Sequence, residues 1–144
     1  MKTIYVKHSF DIFNFEHIRL LKFCERLAFK MMRKCNEQIR VLIGIENYSQ
    51  YIQTVDERYI SVLEMVQLLG NRGVFIAVMP ECPEIDTKEF YEEKEIIKRI
   101  CVGEHTIPEI SFELNNYELY SDNISKVVNN VITNIELNSY NVIN

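Results

Sequence analysis

The residues able to do chemistry are concentrated between Ile4 and Leu21, where the chain reads IYVKHSFDIFNFEHIRLL. Thr3 to Lys7 is a short β-type run, a compact polar and aromatic turn follows, and an amphipathic helical pattern starts near Asn14. Such a strand–turn–helix gathers polar side chains and backbone N–H groups at the mouth of a helix. First-turn N–H groups lack intrahelical partners and the dipole is positive there, so the mouth favours anions. His17 falls in the first turn, where a phosphate would sit. Taken singly, each residue also has a plainer reading: His17 as a surface helix residue, Asn14 as a simple N-cap.

The elements that must position these residues alternate, as in an α/β domain with a parallel sheet. After the first strand a helix is expected over Phe15 to Lys34, with Ile18, Leu21, Cys24, Ala28 and Met31 as its apolar stripe. Arg19, Lys22, Arg26, Lys30 and Arg33 take much of its other surface. Ile39 to Ile45 reads as a buried strand, Glu46 to Thr54 as a polar loop, and Val55 to Leu69 as a helix closed by Gly70, Asn71 and Gly73. Val74 to Met79 is the third strand and Glu81 to Thr87 a loop. A charged helix is expected over Lys88 to Arg99, then a short strand Ile100 to Val102 ending at Gly103, and a weaker fifth strand over Ile110 to Leu114. Ser121 to Leu137 reads as a final helix, and Asn138 to Asn144 as a polar tail outside a single domain of residues 1–137. The fold class is therefore α/β, a Rossmann-like doubly wound sheet of about five strands. Ligands in such sheets bind beyond the carboxyl ends of the strands, which directs attention to His8–His17, Gly44–Tyr48, Met79–Cys82 and Gly103–His105.

The first stretch also resembles a known signature. Nucleotidyltransferases of the cytidylyltransferase-like family open with a strand, then Gly-Thr/Ser-Phe-Asp, then His/Thr-x-Gly-His at a helix start. Ser9, Phe10 and Asp11 match the first element, Asn14 stands at the first position of the second, and His17 at its last. The spacing is intact, while His8 and Glu16 replace two glycines. Asp56-Glu57-Arg58 opens the second helix as an acidic-Glu-Arg element does in that family. Ile100-Cys101-Val102-Gly103-Glu104 is similar to its fourth strand, and Met79-Pro80-Glu81 to the end of the third strand in the glycerol-3-phosphate cytidylyltransferase group.

The resemblance implies nucleotidyl transfer from a nucleoside triphosphate, CTP before ATP, to a small phosphorylated or hydroxylated acceptor, with Mg²⁺ screening the phosphates and pyrophosphate leaving. Such a reaction needs alignment and charge neutralisation more than covalent help. The implied catalytic residues are His17, which stabilises the phosphates, with Asn14 and Arg58. The implied nucleotide-binding residues are Lys7, His8, Ser9, Phe10, Asp11, Gly103, Glu104 and Ser121. Asp11 either binds substrate or fixes the turn, Arg58 is otherwise a surface charge at a helix start, and Gly103 otherwise an ordinary turn. Positive charge is thinner than the family pattern asks. Glu16 brings a carboxylate to the helix mouth, and Glu46 to Thr54 holds no Lys or Arg. These departures keep open a second reading, a catalytically degenerate member that binds a nucleotide or a protein.

Bulk properties exclude other classes. The chain has 144 residues, a formal net charge of −5, 47% hydrophobic and 26% charged residues, which describes one ordinary globular domain and disfavours a nucleic-acid surface. Cys24, Cys35, Cys82 and Cys101 show no metal spacing and read as buried reduced thiols. No apolar run approaches the ~20 residues that span a bilayer, and no leader is recognisable, so a cytoplasmic location without a membrane role is expected. The long apolar helix stripes permit a homodimer.

Overall fold

A computed structural model describes residues 1–69, 72–103, 107–121 and 129–134. In chain order the elements are β1 (Lys2–His8), α1 (Phe15–Cys35), β2 (Ile39–Ile45), α2 (Val55–Leu69), β3 (Phe75–Met79), α3 (Lys88–Glu93), β4 (Ile96–Val102), α4 (Glu109–Leu114) and β5 (Tyr117–Tyr120). Residues 129–134 are helical, inside the span expected for the last helix. The five strands form one all-parallel sheet in the order β3-β2-β1-β4-β5. This is the doubly wound arrangement expected from the alternating pattern. The strand order reverses between β1 and β4, so the switch point lies where β1 ends at His8 and β4 at Val102.

Alternation along β1 sorts the core into two layers. Ile4 and Val6 face α1 and α2, packing with Leu20, Leu21, Cys24, Ala28 and Val62. Tyr5 faces the other way with Leu42, against Phe90, Tyr91 and Ile110 of α3 and α4. Gly44 is needed on that second face. A Cβ there would lie 2.8 Å from both the Tyr5 hydroxyl oxygen and Cys82 Cβ, so a side chain would push the loop after β3 off the sheet.

Two expected elements are corrected. The helix over Lys88 to Arg99 stops at Glu93; Glu95 adopts a left-handed φ of 53°, and Ile96–Val102 is a full strand between β1 and β5. Charged Lys98 and Arg99 disguised it, since a buried parallel strand normally reads as an apolar run. The fifth strand is Tyr117–Tyr120, and Ile110–Leu114 lies in helix α4, closed by left-handed Asn115. Ile110, Phe112 and Leu114 alternate as in a strand, but Phe112 and Leu114 are exposed and the polar Ser111 is buried. One thiol also differs: Cys35 is exposed, being the last residue of α1, while Cys24, Cys82 and Cys101 are buried. Among the described residues, no helix is long and apolar enough to cross a membrane.

Candidate functional site

The turn between β1 and α1 is built from its own side chains. His8 Nδ1 accepts from the Phe10 N–H at 3.0 Å, and Ser9 Oγ from the Asp11 N–H at 3.4 Å. Phe10 and Ile12 adopt φ of 53° and 49°, left-handed values that are uncommon for such bulky residues. Asp11 reaches across to the β2–α2 loop, where its carboxylate accepts from the N–H groups of Ile52 at 2.8 Å and Gln53 at 2.9 Å. Asp11 thereby joins the segments after β1 and β2.

Asn14 is the N-cap of α1, its Oδ1 accepting from the Glu16 N–H at 2.9 Å. His17 completes a capping box: its Nδ1 accepts from the Asn14 N–H at 3.1 Å. That bond leaves the proton of the neutral ring on Nε2. His17 is fully buried, and its Nε2 has no hydrogen-bond partner among the described residues. Phe13 stacks on the ring at 5.3 Å, with His8 and Phe10 beside it. Burial pushes the His17 pKa down to about 4, partly opposed by Asp11. Burial, with His17 nearby, pushes His8 down to about 3. Both imidazoles are therefore neutral at pH 7. Glu16 is buried at 5% exposure and pairs with Arg19 at 3.3 Å.

Arg58 is fully buried rather than a surface charge. Its guanidinium donates to Ser9 O at 2.8 Å, Glu46 O at 2.6 Å, Gln53 O at 3.2 Å and Asn47 Oδ1 at 2.8 Å, and lies 4.1 Å from the Tyr51 ring centroid. It clamps together the chain ends after β1 and β2. Lys7 is spent in a similar way: its three ammonium protons serve Pro83 O, Glu84 O and Asp86 Oδ1 at 2.9–3.1 Å.

A second cluster, absent from the sequence reading, lies on the α3–α4 side. Asp86 accepts from Arg99 Nε at 2.8 Å, from the Tyr91 hydroxyl at 2.6 Å and from Lys7. Tyr91 also meets the Ser111 hydroxyl, and Arg99 Nη1 the Ile100 carbonyl. Burial alone would raise the Asp86 carboxyl, but Arg99, Tyr91 and Lys7 outweigh it and hold it below its usual value. Burial works against the charge on Arg99 as well, and Asp86 reverses that effect. The sequence signal for this cluster is Arg99 inside the run Ile96 to Val102, which a helix expected over Lys88 to Arg99 obscures.

These groups border a cavity of about 760 Å³ over the carboxyl ends of β1 and β4, a size within the range of small-molecule sites. Lys7, His8 and Ser9 form one wall, Arg99 and Val102 another, and the segments around Asp86 and Ile107–Ile110 close it. Of the expected site residues, Lys7, His8 and Ser9 line it; Phe10, Asp11, Asn14, His17 and Arg58 stand behind it as turn, cap and clamp. Gly103, at the end of β4, has a φ of 86° with open space where a Cβ would be. Ser121 is exposed just after β5, and Glu104 lies outside the described residues. Among the described residues, no group of three or more His, Cys, Asp or Glu side chains could hold a metal ion. Asp86 is already spent on Arg99, Lys7 and Tyr91, so these residues do not form a cage for Mg²⁺. No protein-family model matches the chain, and no curated protein matches it.

Proposed function

We propose that this chain is a nucleotide-binding domain of the cytidylyltransferase-like type, holding a nucleotide and a small phosphate-bearing companion at the β1/β4 switch point, with binding favoured over rapid transfer. The observation that carries the reading is the cavity bordered by Lys7, His8, Ser9 and Arg99 at the reversal of strand order. What separates binding from transfer is the use of the cations. Lys7 and Arg58, which would neutralise a leaving pyrophosphate, donate instead to protein oxygens. Leaving-group charge must be met by donors aimed where it develops, and donors committed elsewhere do not meet it.

Nucleotidyl transfer, with CTP ahead of ATP, is the second reading. It is favoured by the buried Nε2–H of His17, a donor without a partner among the described residues, at a helix mouth in the signature's spacing. A pyrophosphate-release assay with each nucleoside triphosphate, Mg²⁺ and a panel of phosphorylated alcohols separates the two. The binding reading expects release no faster than in the absence of protein. Release that needs the protein and disappears in His17→Ala would establish transfer.

A further inference from the structure

Charge is segregated between the two faces of the sheet. A groove of about 720 Å³ runs along α1, lined by the half-buried Phe23, Leu27 and Phe29. Arg26, Lys30, Arg33, Lys34 and Arg72 also line it and are exposed, and Glu118 is the one carboxylate among its described lining residues. Five of the 16 Lys and Arg residues therefore border one groove of a chain whose net charge is −5. Helix α4 packs on the other face: its Ile110 joins the cluster of Tyr5, Leu42 and Phe90, whereas α1 packs with Ile4 and Val6. The rest of α4 is complementary to the groove. Glu109 and Glu113 are exposed and stand four residues apart on one helical side. Phe112 is 67% exposed and Leu114 51%, so a six-residue helix displays two large apolar groups between and beside its carboxylates. Arg72 pairs with Glu25 at 3.6 Å, but none of Arg26, Lys30, Arg33, Lys34, Glu109 and Glu113 forms an ion pair among the described residues.

We infer that the α1 groove docks helix α4 of a second copy of this chain. Glu109 and Glu113 meet the cations around Arg26 and Lys30, and Phe112 with Leu114 covers Phe23 and Leu27. The lengths agree: Phe23 to Lys34 spans about 16 Å of α1, and the six residues of α4 about 9 Å. Opposite charge on the two surfaces steers the encounter and fixes its register. Because the groove and α4 lie on opposite faces, the contact is heterologous, and association continues head to tail. Other anionic partners fit less well. Single-stranded nucleic acid stacks its bases on aromatic rings. Here Arg33 and Arg72 already lie 5.8 and 5.7 Å from the Phe29 centroid, and Tyr120 lies 4.9 Å from Phe23. An anionic membrane is entered by protruding apolar side chains, and Phe23, Leu27 and Phe29 are half-buried.

Sedimentation equilibrium of the full chain at about 50 mM and about 0.5 M NaCl tests this. At the lower salt the weight-average mass should rise from 17.1 kDa to roughly twice that by about 1 mM protein, because a few exposed ion pairs and two apolar side chains make a weak contact. At the higher salt it should stay near 17.1 kDa. Two charge-reversed variants assign the surfaces: Arg26→Glu with Lys30→Glu, and Glu109→Lys with Glu113→Lys. Each alone should remain monomeric at the lower salt. An equimolar mixture should associate again, because the acidic α4 of the first variant meets the basic groove of the second. All four positions are exposed, melting temperatures check the folds, and the wild-type series at two salts does not depend on the variants. A wild-type chain that keeps monomer mass at the lower salt overturns the inference; poly(dT) or phosphatidylserine vesicles bound by that monomer would assign the groove to nucleic acid or to a membrane. Association that survives either charge reversal, or a mixture that stays monomeric, overturns it as well.

Discussion

Arg58 shows how a residue type suited to phosphate can be used inside the protein instead. Four acceptors from three chain segments converge on its guanidinium, and no part of the side chain is exposed. Arg58→Met keeps comparable bulk but leaves buried carbonyl oxygens without donors. It should cost about 3–5 kcal/mol, seen as a lower urea midpoint at unchanged m value. His17 makes a different prediction, in pH. Its folded pKa is about 4 against an ordinary 6.5. Between those values the unfolded ring binds a proton that the folded ring excludes, so stability falls as pH drops from 6.5 toward 4. The loss is on the order of 3 kcal/mol for His17, and His8 adds to it in the same direction. Denaturant titrations at pH 7, 5 and 4 should show this decline. His17→Gln, which preserves a capping-box residue at that position, should remove the His17 share of the slope.

At the scale of elements, the site depends on two loops held to one another. Asp11 binds the amides of Ile52 and Gln53, and Gln53 Oε1 in turn accepts from the Ile12 N–H at 2.8 Å. Asp11→Ala should cost about 3 kcal/mol through two lost charge-assisted bonds, and it should speed hydrogen exchange at Ile52 and Gln53 while leaving the β1 amides protected. These pairings cross about forty residues, so no local pattern announces them. What local pattern does announce is the strand–turn–helix itself. The β-type run from Thr3 to Lys7, the Asn14 cap and the stripe through Leu21, Cys24 and Ala28 all stand in the structure as expected. The second half of the sheet was less legible because its charges are internal. Arg99 reads as a helix-surface residue until Asp86, thirteen positions earlier, is found beside it. The same long-range pairing leaves Asp86, Tyr91 and Ser111 without a local signature as a group.

Over the whole molecule, the order β3-β2-β1-β4-β5 places every feature of the site at one end of the sheet. The turn after β1, the clamp from α2, the loop before α3 and the start of α4 meet around one cavity. A net charge of −5 spread over the chain does not describe that place, where Lys7 and Arg99 both pair with Asp86. A nucleotide is the ligand proposed for this cavity. The most direct test is calorimetric titration of CTP, ATP, GTP and UTP, with and without Mg²⁺, into the wild-type chain and into Ile107→Trp, which fills the cavity from its wall. The expected result is saturable binding of at least one nucleotide, lost in Ile107→Trp at an unchanged melting temperature. Absence of binding by any nucleotide to the folded protein, or binding indifferent to Ile107→Trp, would contradict it.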